Sequence, residues 1–430
     1  MEFKEHLKKY LEDEEIEKLT KSLLKERTNC LILNTNKVNE ENFIKEFSSI
    51  EKFEYINHAY YYDKNINEMG KSYLFDNGAY YIMDASSMLV SNNLILKDNS
   101  LVLDMCAAPG GKTISLALKY PKVNILSNDL SYPRALTMSS NIEKLGLSNI
   151  TIISNDFSKN YKQFLEKFDA IILDAPCSGS AMFRKLEEMK NDWTYQKVLK
   201  QQTIQKELIE IAYQMLKKGG QLVYSTCSFS YEEDEEIVLD LLNNHSDIHP
   251  ILLNDYKEIY HDKSLKEGCH IFPHRFKGEG QFYCLLKKDG DLIANSINQT
   301  KFKPNKVVQN VIDEYNLDFL NYEIIDNNLY GFNYDFSLKH IPTIRKGINI
   351  GEFNKDIFKP SFNLAHYKDS STSILLTKEE KEKYLHGDTF NKIINLKNGY
   401  YIVSYNNLNL GYVKNVNGLL KNLYPKGLRH

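Results

Sequence analysis

The chain has 430 residues, 42% hydrophobic and 26% charged, with a formal net charge of −3 at neutral pH. Its apolar runs are no longer than a strand and its composition is near the globular average, which excludes a membrane-spanning or disordered chain and gives no membrane partner. A slightly acidic total is by itself a weak argument against a nucleic-acid binder, since a local basic face can exist under it.

The N-terminal stretch places Leu7, Leu11, Leu19 and Leu23 at near-helical spacing, predicting one or two helices up to about residue 26. It lacks the apolar core and cleavage site of a signal peptide. The six cysteines, at 30, 106, 177, 227, 269 and 284, form no C-x-x-C pair, so no metal site and no disulfide framework is expected. Reduced thiols fit a cytoplasmic protein. A strand is expected from Cys30 and a helix over Glu40–Glu46; the aromatic run Tyr60, Tyr61, Tyr62 suits core or rim packing better than base stacking.

Residues 101–113 read Leu-Val-Leu-Asp-Met-Cys-Ala-Ala-Pro-Gly-Gly-Lys-Thr, an apolar strand ending in Asp104, a tight loop, and a helix that starts at once. Gly110 and Gly111 allow a sharp turn that presents backbone amides at a helix N-terminus. A P-loop would need glycine at Cys106, and the dinucleotide pattern G-x-G-x-x-G is absent. An acidic strand end with a small-residue loop suits a ligand bearing a ribose and an amino acid, which points to S-adenosylmethionine.

Two further strands end in acids. Val123–Asp129 lies about 20 residues past the glycines, where a carboxylate can accept the ribose hydroxyls, and Ile150–Asp156 places an acid to accept from an adenine amino group. Either acid alone is equally a helix cap; Ser131 is expected to cap the helix after Asp129. Phe168–Gly179 and Gly220–Ser228 are buried-type strands that each deliver a cysteine at the carboxyl end. In a parallel sheet Cys177, Cys227, Asp174 and the Pro109–Lys112 loop would converge on one crevice.

The segments 104–113, Asp-Ala-Pro-Cys-Ser-Gly at 174–179 and Ser-Thr-Cys-Ser at 225–228 resemble the RNA cytosine-5 methyltransferases, over roughly residues 20 to 288. The resemblance implies an α/β fold with a Rossmann-like core, a mostly parallel seven-stranded sheet, and S-adenosylmethionine held by Cys106, Ala107, Ala108, Pro109, Gly110, Gly111, Lys112, Asp129, Arg134, Asp156 and Asp174. It implies Cys227 as the nucleophile on carbon 6 of cytosine and Cys177 as the group that assists removal of the carbon 5 proton. Asp174 would hydrogen-bond the base, and Lys112 would tune a thiol or position Asp174. Carbon 5 is a poor nucleophile, so a thiolate added at carbon 6 answers the chemical need. The sequence departs from the family where Met83 replaces a usual glutamine and Gln281 a frequent histidine.

Phe183-Arg184-Lys185 and Trp193 are expected in a loop that closes over a target base. Helix Lys197–Lys217 is expected to turn Leu199, Ile204, Leu208, Ile211 and Leu216 inward. Ser230 to Glu233 reads as a capping box, and the acidic run through Glu236 as a solvated face. Pro273-His274-Arg275 is expected at the mouth of the RNA cleft, with His274 contacting backbone or packing locally rather than acting as a base.

The domain reading is an N-terminal RNA-binding module at 1–78, the methyltransferase domain at 79–288, a connecting module at 289–368 and a C-terminal domain at 369–430. The last has strands at Thr372–Leu376, Tyr400–Ser404 and Leu410–Val413 around helix Lys378–Leu385, and resembles the small β-rich RNA-binding tail of the ribosomal RNA subgroup, a PUA-like barrel. The whole is expected to be a cytoplasmic monomer that forms 5-methylcytosine in ribosomal RNA or the small ribosomal subunit. The alternatives are a transfer-RNA cytosine-5 methyltransferase and a non-catalytic ribosome-assembly RNA-binding factor.

Overall fold

The computed structural model describes residues 2–185, 187–253, 256–295, 302–355, 357–368, 373–392 and 396–429. The domain boundary expected at 369 and the start of the strand expected at Thr372 lie outside these residues.

The centre is a ten-stranded sheet. Its principal strands are β1 (Leu101–Asp104), β2 (Asn124–Asn128), β3 (Ile150–Ile153), β4 (Phe168–Asp174), β5 (Leu216–Thr226), β6 (Leu265–Ile271), β7 (Gln281–Lys288) and β8 (Thr343–Lys346), in the order β6-β7-β5-β4-β1-β2-β3-β8. Strand Tyr260–Asp262 pairs with β6, and Ile248–Pro250 with β7. The five strands β5-β4-β1-β2-β3 are parallel, β7 runs against them, and β6, antiparallel to β7, runs in their direction again, which gives the expected seven-stranded, mostly parallel core.

These strands read as apolar runs because both faces are covered. In β1, Val102 enters the core on one face while Leu101 and Leu103 enter the core on the other, as the two-residue strand period requires. Chain order reverses between β1 and β4, and at such a switch point the carboxyl ends open a crevice.

The crossover helices are α1 (Gly111–Lys119), α2 (Tyr132–Glu143), α3 (Tyr195–Met215) and α4 (Glu235–Asn244). The inward face of α3 carries Val198, Gln205, Ile209, Ala212 and Met215, not the face expected from sequence; Leu199 is exposed, Ile204 and Leu208 are half-buried, and Leu216 belongs to β5. Only Ile211 of that expected set is a buried helix residue. The leucines drew the register by one residue, whereas the buried polar Gln205 belongs to the inward stripe.

The N-terminal region forms a four-stranded antiparallel sheet in which Tyr60 and Tyr61 are buried. Beyond residue 302 the chain gives helix Lys306–Glu314, a second four-stranded sheet, and strand β8, which extends the central sheet beside β3. The last part is a five-stranded sheet with helix Lys378–His386, whose Thr377–Glu380 capping box is complete. No helix among the described residues is long and apolar enough to cross a membrane.

These parts are joined by close backbone approach. Lys37 Nζ donates to the carbonyls of Asn77 and Lys144 and lies 3.2 Å from His366 Nδ1, tying three regions together. Gly78 has φ +73°, and a side chain there would run into the Lys144 carbonyl. Gly78→Ala is therefore expected to destabilise the fold by about 2–4 kcal/mol through strain and overpacking. A thermal melt checks it; an unchanged Tm would show that this seam is loose.

Candidate active site

Asp104 ends β1 fully buried. Its Oδ2 accepts from Thr113 Oγ1 at 2.6 Å, and Thr113 Oγ1 lies 2.9 Å from Ser127 Oγ on β2. Oδ1 has no hydrogen-bond partner, and burial pushes the carboxyl up to about 7 despite the Thr113 hydrogen bond and the Lys112 charge.

From Asp104 the loop turns on hydrogen bonds from the Ala107 amide to the Asn128 carbonyl and from Gly110 to the Ala107 carbonyl, both 2.7 Å. Gly110, at φ +103°, is the N-cap of α1, a conformation that favours glycine. Arg134 on α2 donates to the Ala108 carbonyl at 2.8 Å and pairs with Asp129 at 3.4 Å, while Asn141 donates to the Pro109 carbonyl at 3.0 Å. Cys106, Ala107, Ala108, Pro109, Gly110 and Gly111 thus stand beside Asp129 and Arg134. The Met83 methyl group sits against Gly111, 3.3 Å from where a side chain would begin. Burial raises the Cys106 thiol pKa, so this cysteine remains a neutral lining residue.

Asp129 Oδ1 accepts from the Ser131 amide at 2.9 Å. The expected side-chain cap by Ser131 is absent: Asp129 takes that backbone donor, and Pro133 shapes the first turn of α2. Asp156 accepts from Ser158 and pairs with Lys159 at 2.9 Å, contacts that hold its carboxyl below the usual range. Asn155 Nδ2 beside it is buried with no partner. A cradle of small residues, two carboxylates at strand ends and an unpaired buried amide fit an adenosine bearing an amino acid chain. The residues present therefore fit S-adenosylmethionine.

On the other side of the crevice, Lys112 Nζ on α1 donates to Asp174 Oδ2 at 2.7 Å and to Ser87 at 3.0 Å. Asp174 Oδ1 accepts from Ser225 at 2.8 Å and from Gln281 at 3.0 Å. Lys112 is buried, which opposes its charge, but Asp174 and the facing Cys227 sulfur carry its pKa above the usual lysine value. Cys177 and Cys227, both partly accessible, place their sulfurs 3.1 Å apart. The hydrogen bond shared with Cys227 and then burial raise the Cys177 thiol pKa. All four residues singled out for chemistry meet here. Ser225, Ser87 and Gln281 complete the carboxylate–ammonium network; Ser225 stood within the Ser-Thr-Cys segment, whereas Ser87 gave no sequence signal.

Two expectations are corrected. The acidic run after Cys227 is no solvated face: Glu232, Glu233, Asp234 and Glu235 are buried, and Glu233 is turned toward the cysteine loops rather than capping with Ser230. Phe183 and Trp193 do not form an open lid; they pack with Phe3 of helix Phe3–Leu7 at ring separations of 5.1 and 5.2 Å, and Arg184 pairs with Glu279. His274 and Arg275 clamp Glu15 of helix Asp13–Ser22, and Arg275 first and His274 after it hold that carboxyl down to about 2 against burial.

Residues 91–287 match the family model described as 16S rRNA methyltransferase RsmB/F. Residues 1–85 match the N-terminal domain of 16S rRNA methyltransferase RsmF, and 371–430 the methyltransferase RsmF PUA domain. The ribosomal RNA small subunit methyltransferase F of Vibrio parahaemolyticus serotype O3:K6 is 30% identical over 431 residues, covering 92% of this chain and 90% of that one. The protein of the same description from Shewanella piezotolerans is 29% identical over 429 residues with the same coverage. Among solved structures, NSun6 from Pyrococcus horikoshii with SFG aligns with a TM-score of 0.62 at 22% identity, covering 67% of this chain and 98% of that one, which shows a shared fold. A methyltransferase homolog protein from Pyrococcus horikoshii gives 0.59 at 26% identity, covering 66% and 93%.

Asp104 supplies a pH test. Its folded pKa is raised, so its stabilising contribution is full below about pH 4 and is lost as pH rises through about 7. Asp104→Asn, which keeps the neutral shape, is expected to gain Tm over the parent chain more at pH 8 than at pH 5. An equal difference at both pH values would contradict a buried, proton-binding Asp104.

Proposed function

The chain belongs to the RsmB/F family of 16S ribosomal RNA methyltransferases, which use S-adenosylmethionine, and from that premise we propose that it methylates carbon 5 of cytosine in small-subunit ribosomal RNA through a covalent bond to Cys227. The observation that carries this reading is the pair of sulfurs 3.1 Å apart beside the Lys112–Asp174 pair, with the cofactor loop at their edge.

The Cys227 thiolate adds to carbon 6 of the base, and the displaced 5,6 electrons move through carbon 4 to ring nitrogen 3, which takes a proton from water. Asp174 accepts from the exocyclic amine, and Lys112 supports Asp174 and faces the thiolate with a fixed positive charge. Carbon 5 is now nucleophilic. S-adenosylmethionine supplies an electrophilic methyl group, held by residues 106–112 with Asp129 at the ribose, Asp156 at the adenine amine and Arg134 beside them.

Once the Cys227 sulfur is bonded to carbon, the hydrogen bond and negative charge that kept the proton on Cys177 are gone. Cys177 then gives its proton to solvent and, as thiolate, takes the carbon 5 proton. The electrons of that C–H bond restore the 5,6 double bond and expel Cys227 as thiolate, and the ring nitrogen returns its extra proton to solvent, which leaves Cys177 as thiol and Cys227 as thiolate for another cycle.

One chain supplies every group, which suits a monomer, and the six free thiols suit a reducing cytoplasm. The regions 1–78 and 369–430 hold the RNA on either side of the 79–288 domain, a reading supported by the match to a PUA domain at the C-terminus. The 289–368 region links them.

Cys227→Ala is expected to lower methyl transfer by about 10³-fold or more and to give no protein–RNA adduct. Cys177→Ala is expected to accumulate an adduct that survives denaturing gels. The reverse pattern would exchange the two roles. Labelled methyl transfer to small subunits from a strain lacking the protein should appear as 5-methylcytosine in 16S ribosomal RNA; label in transfer RNA alone would overturn the substrate assignment.

A further inference from the structure

Glu233 follows Cys227 by six residues, in the turn before α4, and has no exposed surface. Its Oε1 accepts from the Ser178 backbone amide at 2.7 Å and from Gln205 Nε2 at 3.2 Å. Its Oε2 accepts from the Ser178 hydroxyl and from the Ser228 hydroxyl, the latter at 2.6 Å. Ser178 is the residue after Cys177, and Ser228 the residue after Cys227. One carboxylate therefore grips both cysteine loops at the same step past each sulfur.

The grip is braced. Gln205 on α3 also donates to the carbonyl of Pro176, just before Cys177, at 2.8 Å. Tyr224 on β5 donates its hydroxyl to the Glu233 carbonyl at 2.6 Å, which fixes the backbone of the acid itself. The loops are stitched to each other by the Ala181 amide on the Cys227 carbonyl at 3.0 Å and the Phe229 amide on Ser180 Oγ at 2.8 Å. Burial raises the Glu233 pKa against the pull of its four donors, which offset part of the desolvation, and such a satisfied network rigidifies what it holds. The sulfurs themselves share only the weak contact of one thiol, so the separation between them must be set by the backbone that carries them.

We propose that Glu233 is a positioning residue that sets the Cys177–Cys227 separation by accepting hydrogen bonds from both cysteine loops. It touches neither base nor cofactor. Its value to the reaction is geometric: the two thiols must address carbon 6 and the carbon 5 proton of the same base, and a displacement of about 1 Å costs on the order of 10²-fold in rate. The negative charge of Glu233 also adds to the forces that keep Cys177 protonated before Cys227 is consumed. The proposal rests on the two-thiol reading for its catalytic meaning, although the distance it concerns is measurable without turnover.

Diamide oxidation of the intact protein tests that distance. Two thiols lose two electrons and two protons to diamide and form one S–S bond, and the rate of the intramolecular step reports how often the sulfurs meet. Peptide mass spectrometry assigns the 177–227 link, since the other cysteines lie elsewhere. Glu233→Gln keeps an acceptor for the Ser178 amide and turns an amide donor to the two hydroxyl oxygens, which then accept. It is expected to retain the disulfide rate within about threefold and most of kcat. Glu233→Ala is expected to slow the disulfide at least tenfold and to lower kcat about 100-fold with KM for S-adenosylmethionine unchanged.

If Glu233→Ala does not fold, Ser178→Ala and Ser228→Ala carry the test: each frees one loop, and each is expected to slow disulfide formation. A wild-type disulfide rate in Glu233→Ala, or in both serine variants, overturns the proposal. Undiminished methyl transfer by Cys177→Ala and Cys227→Ala would instead remove the catalytic reading and leave the positional result standing.

Discussion

The ion pair between buried Lys112 and half-buried Asp174 joins the two halves of the crevice, and the rest of the site is arranged around it. Lys112 belongs to the helix that begins at the cofactor loop, and Asp174 closes the strand that leads to Cys177. A charge pair removed from water is costly unless each remaining lone pair and proton is used. Here Asp174 takes three donors, from Lys112, Ser225 and Gln281, and Lys112 also donates to Ser87. The pair thereby fixes α1 against β4, and with it the distance from the cofactor cradle to the thiols.

That arrangement also balances an unusual load of negative charge. Asp104, Asp129, Asp174, Glu233 and Asp234 lie on or beneath the carboxyl edge of the sheet, and burial or mutual repulsion raises several of them. Lys112 is a buried cation beside two of them, Asp174 and Asp104. Glu233, Asp234 and Glu235 gather where α4 begins, so the helix dipole favours their charge. Asp234 is held by Thr226, next to Cys227, and Glu235 pairs with His270 on β6. A run that reads as a polar surface is a buried frame beneath Cys227.

The parallel core and its ligand edge were readable because burial on both faces leaves apolar strands of the right length, each closed by a distinctive residue at the strand end. Cys177, Cys227, Asp174 and Lys112 meet as that topology requires. The acidic run misled because charge density predicts solvent exposure, and only tertiary packing reveals that serines from two distant loops satisfy Glu233. Arg184 and Trp193 misled in the opposite sense. Basic and aromatic residues near a cleft suggest RNA contact, yet here Trp193 packs on Phe3 of the N-terminal helix and Arg184 pairs with Glu279. The 302–368 region was opaque because its hairpins are short, although Asp326 and Asn327, both at positive φ, form the tight turn their residue types favour. Strand β8 gave no sign of joining a sheet some 190 residues earlier, since an edge pairing is set by backbone complementarity alone.

The most direct measurement of the central claim uses a small-subunit RNA substrate whose cytosines are replaced by 5-fluorocytosine, incubated with the intact protein and S-adenosylmethionine. Fluorine at carbon 5 cannot leave as a proton, so a base bonded to the nucleophile stays bonded after methyl transfer. The account predicts a stable protein–RNA species whose digested peptide carries a methylated fluorocytosine on Cys227. A species linked through Cys177, or methyl transfer with no linked species, would contradict it.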